Sequence, residues 1–354
     1  MINYGSVPSD ATFAVEIECG IPRSQIARAG WRVGSYHRGT PIPGHDYNGT
    51  PWTIEHDSSL RSPDMQMVEI VSPPLRGRAG LASLRRMMQA IKAMGGKVNN
   101  TCGLHVNISH PKMFTPKRIK RLIHIQAKFE LALYASNGNL ARTSNGPNGY
   151  SRSVKGDGYA SPQRRDRLAN VQSLSQLRDE AYDRYVTLNL LHITARRDRR
   201  RVEFRVFGPS LNPTKATAFI CVALGMVEAS MDYNVKINDS VWDLDKARSH
   251  RDWSDGIHAM DRLLAFLRWN PRRAERDGVT VEDVDRIAQA DALKAKGILG
   301  GSPAEMARDI ERSRNELLRL AEKFDRATLA LPANAGQQAQ RDWVENWADE
   351  RDDN

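Results

Sequence analysis

The sequence predicts an α+β fold: a curved, mainly antiparallel sheet with helices on one face, followed by a C-terminal helical region. Three observations carry this. Segments alternating apolar and polar side chains recur at 13–20, 67–74, 102–109 and 200–208. They are joined by hairpin-type turns or single helical stretches rather than by a strict strand–helix–strand rhythm. Beyond residue 250 the texture is almost wholly helical.

The elements follow in order. Residues 11–20 read as a strand, and 21–51 as a loop rich in Gly, Pro, Arg and Tyr, with Pro41, Pro43 and Gly44 as breakers. Segments 52–60 and 66–71 read as strands joined by a polar turn containing Pro63 and Asp64. Leu81, Leu84, Met88 and Ile91 give a helix over 79–94, stopped by Gly95 and Gly96. The strand at 102–109 precedes a helix capped by Thr115, with Pro116 at its first position, running to about Tyr134. Residues 136–170, dense in Asn, Gly, Ser and Arg, form a long basic loop. Segment 181–194 predicts a strand pairing with 200–207 across the basic turn ARRDRR. Asn212 and Pro213 open a helix to about Met231. An amphipathic stretch contains Arg262, Leu263, Phe266 and Leu267, and another spans 303–329, capped by Ser302. The helices at 79–94, 115–134 and 212–231 are expected on the apolar face of the sheet. The chain thus divides into a mixed unit over 1–245, a helical region over 246–335 and a frayed tail over 336–354.

Composition excludes several classes. A chain of 354 residues, 40% hydrophobic and 27% charged, is globular rather than disordered. No apolar run approaches the ~20 residues that span a bilayer, and the first residues predict no signal peptide. The odd set Cys19, Cys102 and Cys221 fits no zinc pattern and predicts reduced thiols in a cytoplasmic protein. The net charge of +10 draws polyanions in general, without singling out nucleic acid.

The chemistry lies on one side of the strands. Successive strand side chains point to opposite faces. Phe13, Val15 and Ile17 share a face, so Glu16 and Glu18 share the other. Leu104, Val106 and Ile108 leave His105 and Asn107 opposite. Val202, Phe204 and Val206 leave Arg201, Glu203 and Arg205 opposite. Glu69 sits in a fourth such segment. Carboxylate oxygens with one imidazole suit Mg²⁺ or Mn²⁺, and guanidiniums match phosphate in a bidentate way. Zinc fits poorly, with one histidine and no cysteine pair in these segments. Taken singly, an E-x-E pair is most often a solvated sheet face and R-x-E-x-R a salt-bridge ladder. If the faces coincide, Glu16, Glu18, Glu69 and Glu203 repel one another and call for a cation.

The ordered motifs F-x-V-E-I-E, D-S-S-L, E-I-V-S-P-P-L, C-G-L-H-V-N and V-E-F-R resemble the amidoligase family. That family lies within the glutamine synthetase and glutamate–cysteine ligase superfamily, and the likeness covers roughly residues 11–230. It implies the curved antiparallel sheet of the glutamine synthetase catalytic domain over 1–245. It implies ATP with Mg²⁺ or Mn²⁺ as cofactors, and a carboxylate and an amine as substrates. Metal ligands would be Glu16, Glu18, Glu69 and Glu203, with His105 near the second metal and the nucleotide. Arg205, and with it Arg201, would contact phosphate. Asp57 would act near the amine as a base or ammonium-binding group, and Asn189 is a further candidate. Where family members often carry a second histidine this chain has Asn107, a good hydrogen-bonding group toward nucleotide or substrate and a poor metal ligand.

The implied reaction is a two-step ligation through an acyl phosphate, which must be kept from water. The loop at 136–170 would be its lid, with Arg142, Arg152 and Lys155 toward phosphate and Tyr150 or Tyr159 toward substrate; a disordered basic insertion is an equal reading. Two other classes stay open. Arginine clusters at 85–86, 117–121, 164–167 and 196–201 fit a protein that binds or modifies nucleic acid. A catalytically inactive assembly protein on the same fold is the other. Trp253, Trp269, Trp343 and Trp347 could anchor contacts in the helical region or simply pack there.

Overall fold

The computed structural model describes residues 11–138, 151–154, 162–181, 183–232, 256–267, 269 and 303–329. Seven strands and eight helices occur among them. The strands are β1 (Thr12–Ile21), β2 (Thr40–Tyr47), β3 (Thr50–Glu55), β4 (Gln66–Val71), β5 (Leu104–Ser109), β6 (Leu188–Asn189) and β7 (Val202–Phe204). They form one open sheet in the order β2-β3-β4-β1-β5-β7-β6, every neighbouring pair antiparallel. The helices are α1 (Arg23–Arg28), α2 (Gly77–Ala93), α3 (Pro116–Ala135), α4 (Pro162–Asn170), α5 (Leu174–Glu180), α6 (Pro213–Met231), α7 (Gly256–Phe266) and α8 (Pro303–Leu329).

Alternation explains which face meets the helices. Phe13, Val15 and Ile17 of β1, Leu104, Val106 and Ile108 of β5, Trp52 and Ile54 of β3, and Val202 and Phe204 of β7 are all buried. Each such side chain contributes roughly 1.5–3 kcal/mol when removed from water. α6 packs on β5, and α2 on β2 and α6. α3 rests on α6 and α7, and its Glu130 accepts from the Thr187 hydroxyl just before β6 at 2.6 Å. Phe207 stacks on Phe219 of α6 at 4.5 Å between ring centroids. Against the expectation that no apolar run approaches bilayer-spanning length, α6 is long and apolar enough by composition to cross a membrane; it is mostly buried inside the fold.

Local chemistry sets the helix boundaries. The Thr115 hydroxyl accepts from the Arg118 amide to start α3, and Asn212 caps α6 by accepting from the Thr214 and Lys215 amides. α2 ends before Gly95, whose φ of 74° closes the last turn. α7 is capped from a distance: Asp325 of α8 accepts from the Gly256 and Ile257 amides at 2.6 and 2.9 Å. α8 also packs on α6, α7 and α3, and its Asp309 pairs with Arg78 of α2.

Three expectations change. The region 21–51 holds α1 and β2 instead of a loop. β2 contains Pro41, Pro43 and Gly44 and breaks register between Pro41 and Asp46; prolines are tolerated because it is an edge strand. Segment 181–194 contributes only the two residues of β6, and β3 stops at Glu55 rather than reaching residue 60. Most of the predicted 136–170 loop, including Arg142, Tyr150, Lys155 and Tyr159, lies outside the described residues, as do Trp253, Trp343 and Trp347. Trp269 is buried. Cys19, Cys102 and Cys221 are buried free thiols.

Candidate active site

The polar faces of six strands coincide. Glu55 of β3 pairs with Glu69 of β4, which pairs with Glu18 of β1. Glu16 of β1 pairs with His105 of β5. Asn107 of β5 pairs with Glu203 of β7, which pairs with Asn189 of β6. One face of the sheet therefore carries a row of carboxylates running into a cluster of imidazole, amide and guanidinium groups. Glu18, Glu55, Glu69, His105, Asn107, Asn189, Glu203 and Arg205 are all buried.

Hydrogen bonds fix these groups. His105 Nδ1 lies 3.0 Å from Glu16 Oε2 and 3.5 Å from Glu203 Oε1, and its Nε2 lies 3.4 Å from Glu18 Oε1. Asn107 donates through Nδ2 to Glu16 Oε1 at 3.0 Å and accepts from Arg201 Nε at 2.9 Å. Asn107 therefore links Glu16 to the half-exposed Arg201. Both oxygens of Glu203 are engaged, one by Asn189 and one by Arg205, each at 2.6 Å. The Leu191 amide holds Asn189 Oδ1 in turn. Asp57, just past β3, accepts from the Ser59 amide at 2.7 Å and sits close enough to act on the charge of Glu69.

The electrostatics follow from crowding acids in a dry place. Burial raises the Glu69 carboxyl to about 10, and Glu16, Glu18, Glu55 and Asp57 push the same way. Burial disfavours the charge on Arg205, but Glu203, Glu18 and Glu16 outweigh it and hold the guanidinium charged. Glu16, Glu69 and His105 each offer one ligand atom, and these lie within 4.8 Å of one another. A hard cation at 2.0–2.6 Å from each ligand needs spacings of about this size. The donor set is oxygen-rich with one imidazole, which fits Mg²⁺ or Mn²⁺.

The structure thus brings together Glu16, Glu18, Glu69, His105, Asn107, Glu203, Arg205, Arg201, Asn189 and Asp57. Arg152 is engaged elsewhere, pairing with Asp183 while its segment bridges to Val186. Sequence reasoning missed Glu55, although Trp52 and Ile54 on the opposite face carried the same alternation signal. It also missed Tyr36, Arg184 and His192 nearby. Arg184 donates to the Tyr36 hydroxyl at 3.2 Å. Burial and the charge of Arg201 lower the proton affinity of His192, while Glu203 and Glu16 oppose this.

The Tyr36–Arg184 bond joins segments that flank distant strands of this row. Tyr36 lies in the turn beside β3, where the His37 amide donates to Glu55 Oε1 at 3.0 Å. Arg184 lies just before β6.

A family model described as "Putative amidoligase enzyme" matches residues 10–227. No curated protein matches the chain.

Proposed function

This chain belongs to the amidoligase family of enzymes, and from that premise we propose an ATP-dependent carboxylate–amine ligase working through an acyl phosphate. The observation that carries the proposal is the register-matched acid row ending in Glu16, Glu69 and His105, with Arg205 beside it. Divalent ions held by Glu16, Glu18, Glu69, Glu203 and His105 would neutralise phosphate charge. Arg205, kept charged by Glu203, and Arg201, oriented by Asn107, bind phosphate oxygens. A substrate carboxylate oxygen attacks the γ-phosphorus of ATP; the bond to the bridging oxygen breaks, ADP leaves and an acyl phosphate forms. The amine nitrogen then attacks the acyl carbon, the carbon–oxygen bond to phosphate breaks, and a proton from nitrogen passes to Asp57. The buried floor limits access of water to the acyl phosphate.

The test is trapping. Protein, ATP, Mg²⁺ or Mn²⁺ and a panel of carboxylates are mixed with hydroxylamine as a general amine. The proposal predicts a hydroxamate and stoichiometric ADP with at least one carboxylate, both lost in Glu69→Gln. No ADP release above the Glu69→Gln background across the panel would contradict it.

A further inference from the structure

Arg184, near the acid face, is a guanidinium without an anionic partner among the described residues. Among the described residues Arg184 makes its hydrogen bond to the neutral Tyr36 hydroxyl and stacks 5.4 Å from the centre of the Tyr185 ring. No carboxylate pairs with it, although acids crowd the floor below. The nearby Arg205 instead acts on it as a like charge, and Arg205 is itself committed to Glu203. A guanidinium has five donors, and a phenol oxygen engages few of them. The unused donors of such a fork match a planar or tetrahedral oxyanion.

The surroundings are built to hold Arg184 there. Tyr36 and Tyr185 are two of the three large apolar side chains exposed among the described residues, at 45% and 38%. The turn presenting Tyr36 is tightly specified. A side chain at Gly34 would meet the Arg38 carbonyl at 2.1 Å, and His37 has a φ of 59°. The His37 ring lies 3.7 Å from that of Tyr36, and its amide is fastened to Glu55. Strain of this kind persists where surrounding contacts enforce it, and here they fix the Tyr36 phenol against Arg184.

We infer that Arg184, framed by Tyr36 and Tyr185, is a substrate-recognition subsite for a carboxylate or phosphate group beside the acid face of the sheet. That the anion belongs to a substrate rests on the ligase reading; the anion site itself does not. Two sources share this chemistry: the nucleotide's phosphates, and a second anionic group on the carboxylate or amine substrate.

The experiment leaves out metal and nucleotide in its first arm, so its outcome is independent of whether the protein is a ligase. Wild type, Arg184→Ala, Arg184→Lys and Tyr36→Phe are titrated with inorganic phosphate and with glutarate at constant ionic strength. In parallel, phenylglyoxal labelling of wild type is mapped by mass spectrometry with and without each anion. The subsite predicts protection of Arg184 by anion and affinity about tenfold or more weaker in Arg184→Ala. Arg184→Lys keeps the charge but loses the fork, and falls between. A second arm adds Mg²⁺ and ATP. Binding weakened in Arg184→Ala assigns the subsite to the nucleotide, and unchanged binding assigns it to the other substrate. Arg184 labelled equally with and without anion, or equal anion affinity in wild type and Arg184→Lys, would overturn the inference. Should Arg184→Ala fail to fold, the labelling of wild type and the Arg184→Lys titration decide alone.

Discussion

Glu18 and Glu69 stand directly opposite each other across the β1–β4 pair, both buried. Like charges in that position destabilise a sheet, and Glu55 on the far side of Glu69 adds to the repulsion. Burial and the neighbouring acids raise the Glu69 carboxyl, which favours its protonated form. A cation held there would offset the same repulsion.

Stability without metal should therefore fall as pH rises. The Glu69 carboxyl sits at about 10 in the fold, against an ordinary value of 4.5 in the unfolded chain. Between these values the folded state holds the extra proton, so the stabilisation present below the lower value is lost progressively up to the higher one. The slope is at most on the order of 1 kcal/mol per pH unit. Urea titrations with chelator at pH 6 and 9 read this directly. Glu69→Gln, which imitates the protonated acid, should flatten the dependence, and Mg²⁺ or Mn²⁺ should flatten it in wild type alone.

The Glu203–Arg205 pair should be strongly coupled. Both partners are buried and bonded at 2.6 Å. Removing one leaves an uncompensated buried charge, which costs about 3–5 kcal/mol. Glu203→Gln and Arg205→Met should each destabilise by that order, and the double variant by much less than their sum. Additive losses in urea unfolding would mean the two side chains act independently.

The C-terminal helices should prove integral to the fold. Asp325 caps α7 from within α8 through two amide bonds. Asp325→Ala should cost roughly 1–2 kcal/mol. Hydrogen exchange should show faster opening at the start of α7 with the sheet amides unchanged.

Much of the site was legible because strand alternation is a local signal. FAVEIECG, CGLHVNIS and RRVEFRVFG each state which side chains oppose the core, without any knowledge of the partner strands. Register was not legible, and register is what sets Glu69 between Glu18 and Glu55. β2 was hidden because Pro41, Pro43 and Gly44 forbid a central strand and are silent about an edge one. The strand expected over 181–194 shrank to Leu188–Asn189, since alternation cannot say how far a partner extends. Tyr36 and Arg184 lie 148 residues apart in loops flanking different strands, so no local pattern announces their contact.

The central claim is that the acid row holds divalent metal for a nucleotide. The most direct test is calorimetric titration of ATP into wild type and Glu69→Gln, with and without Mg²⁺ or Mn²⁺. The account predicts metal-dependent binding in wild type that is lost in a folded Glu69→Gln. No ATP binding to wild type under any metal condition, or identical binding in the two proteins, would contradict it.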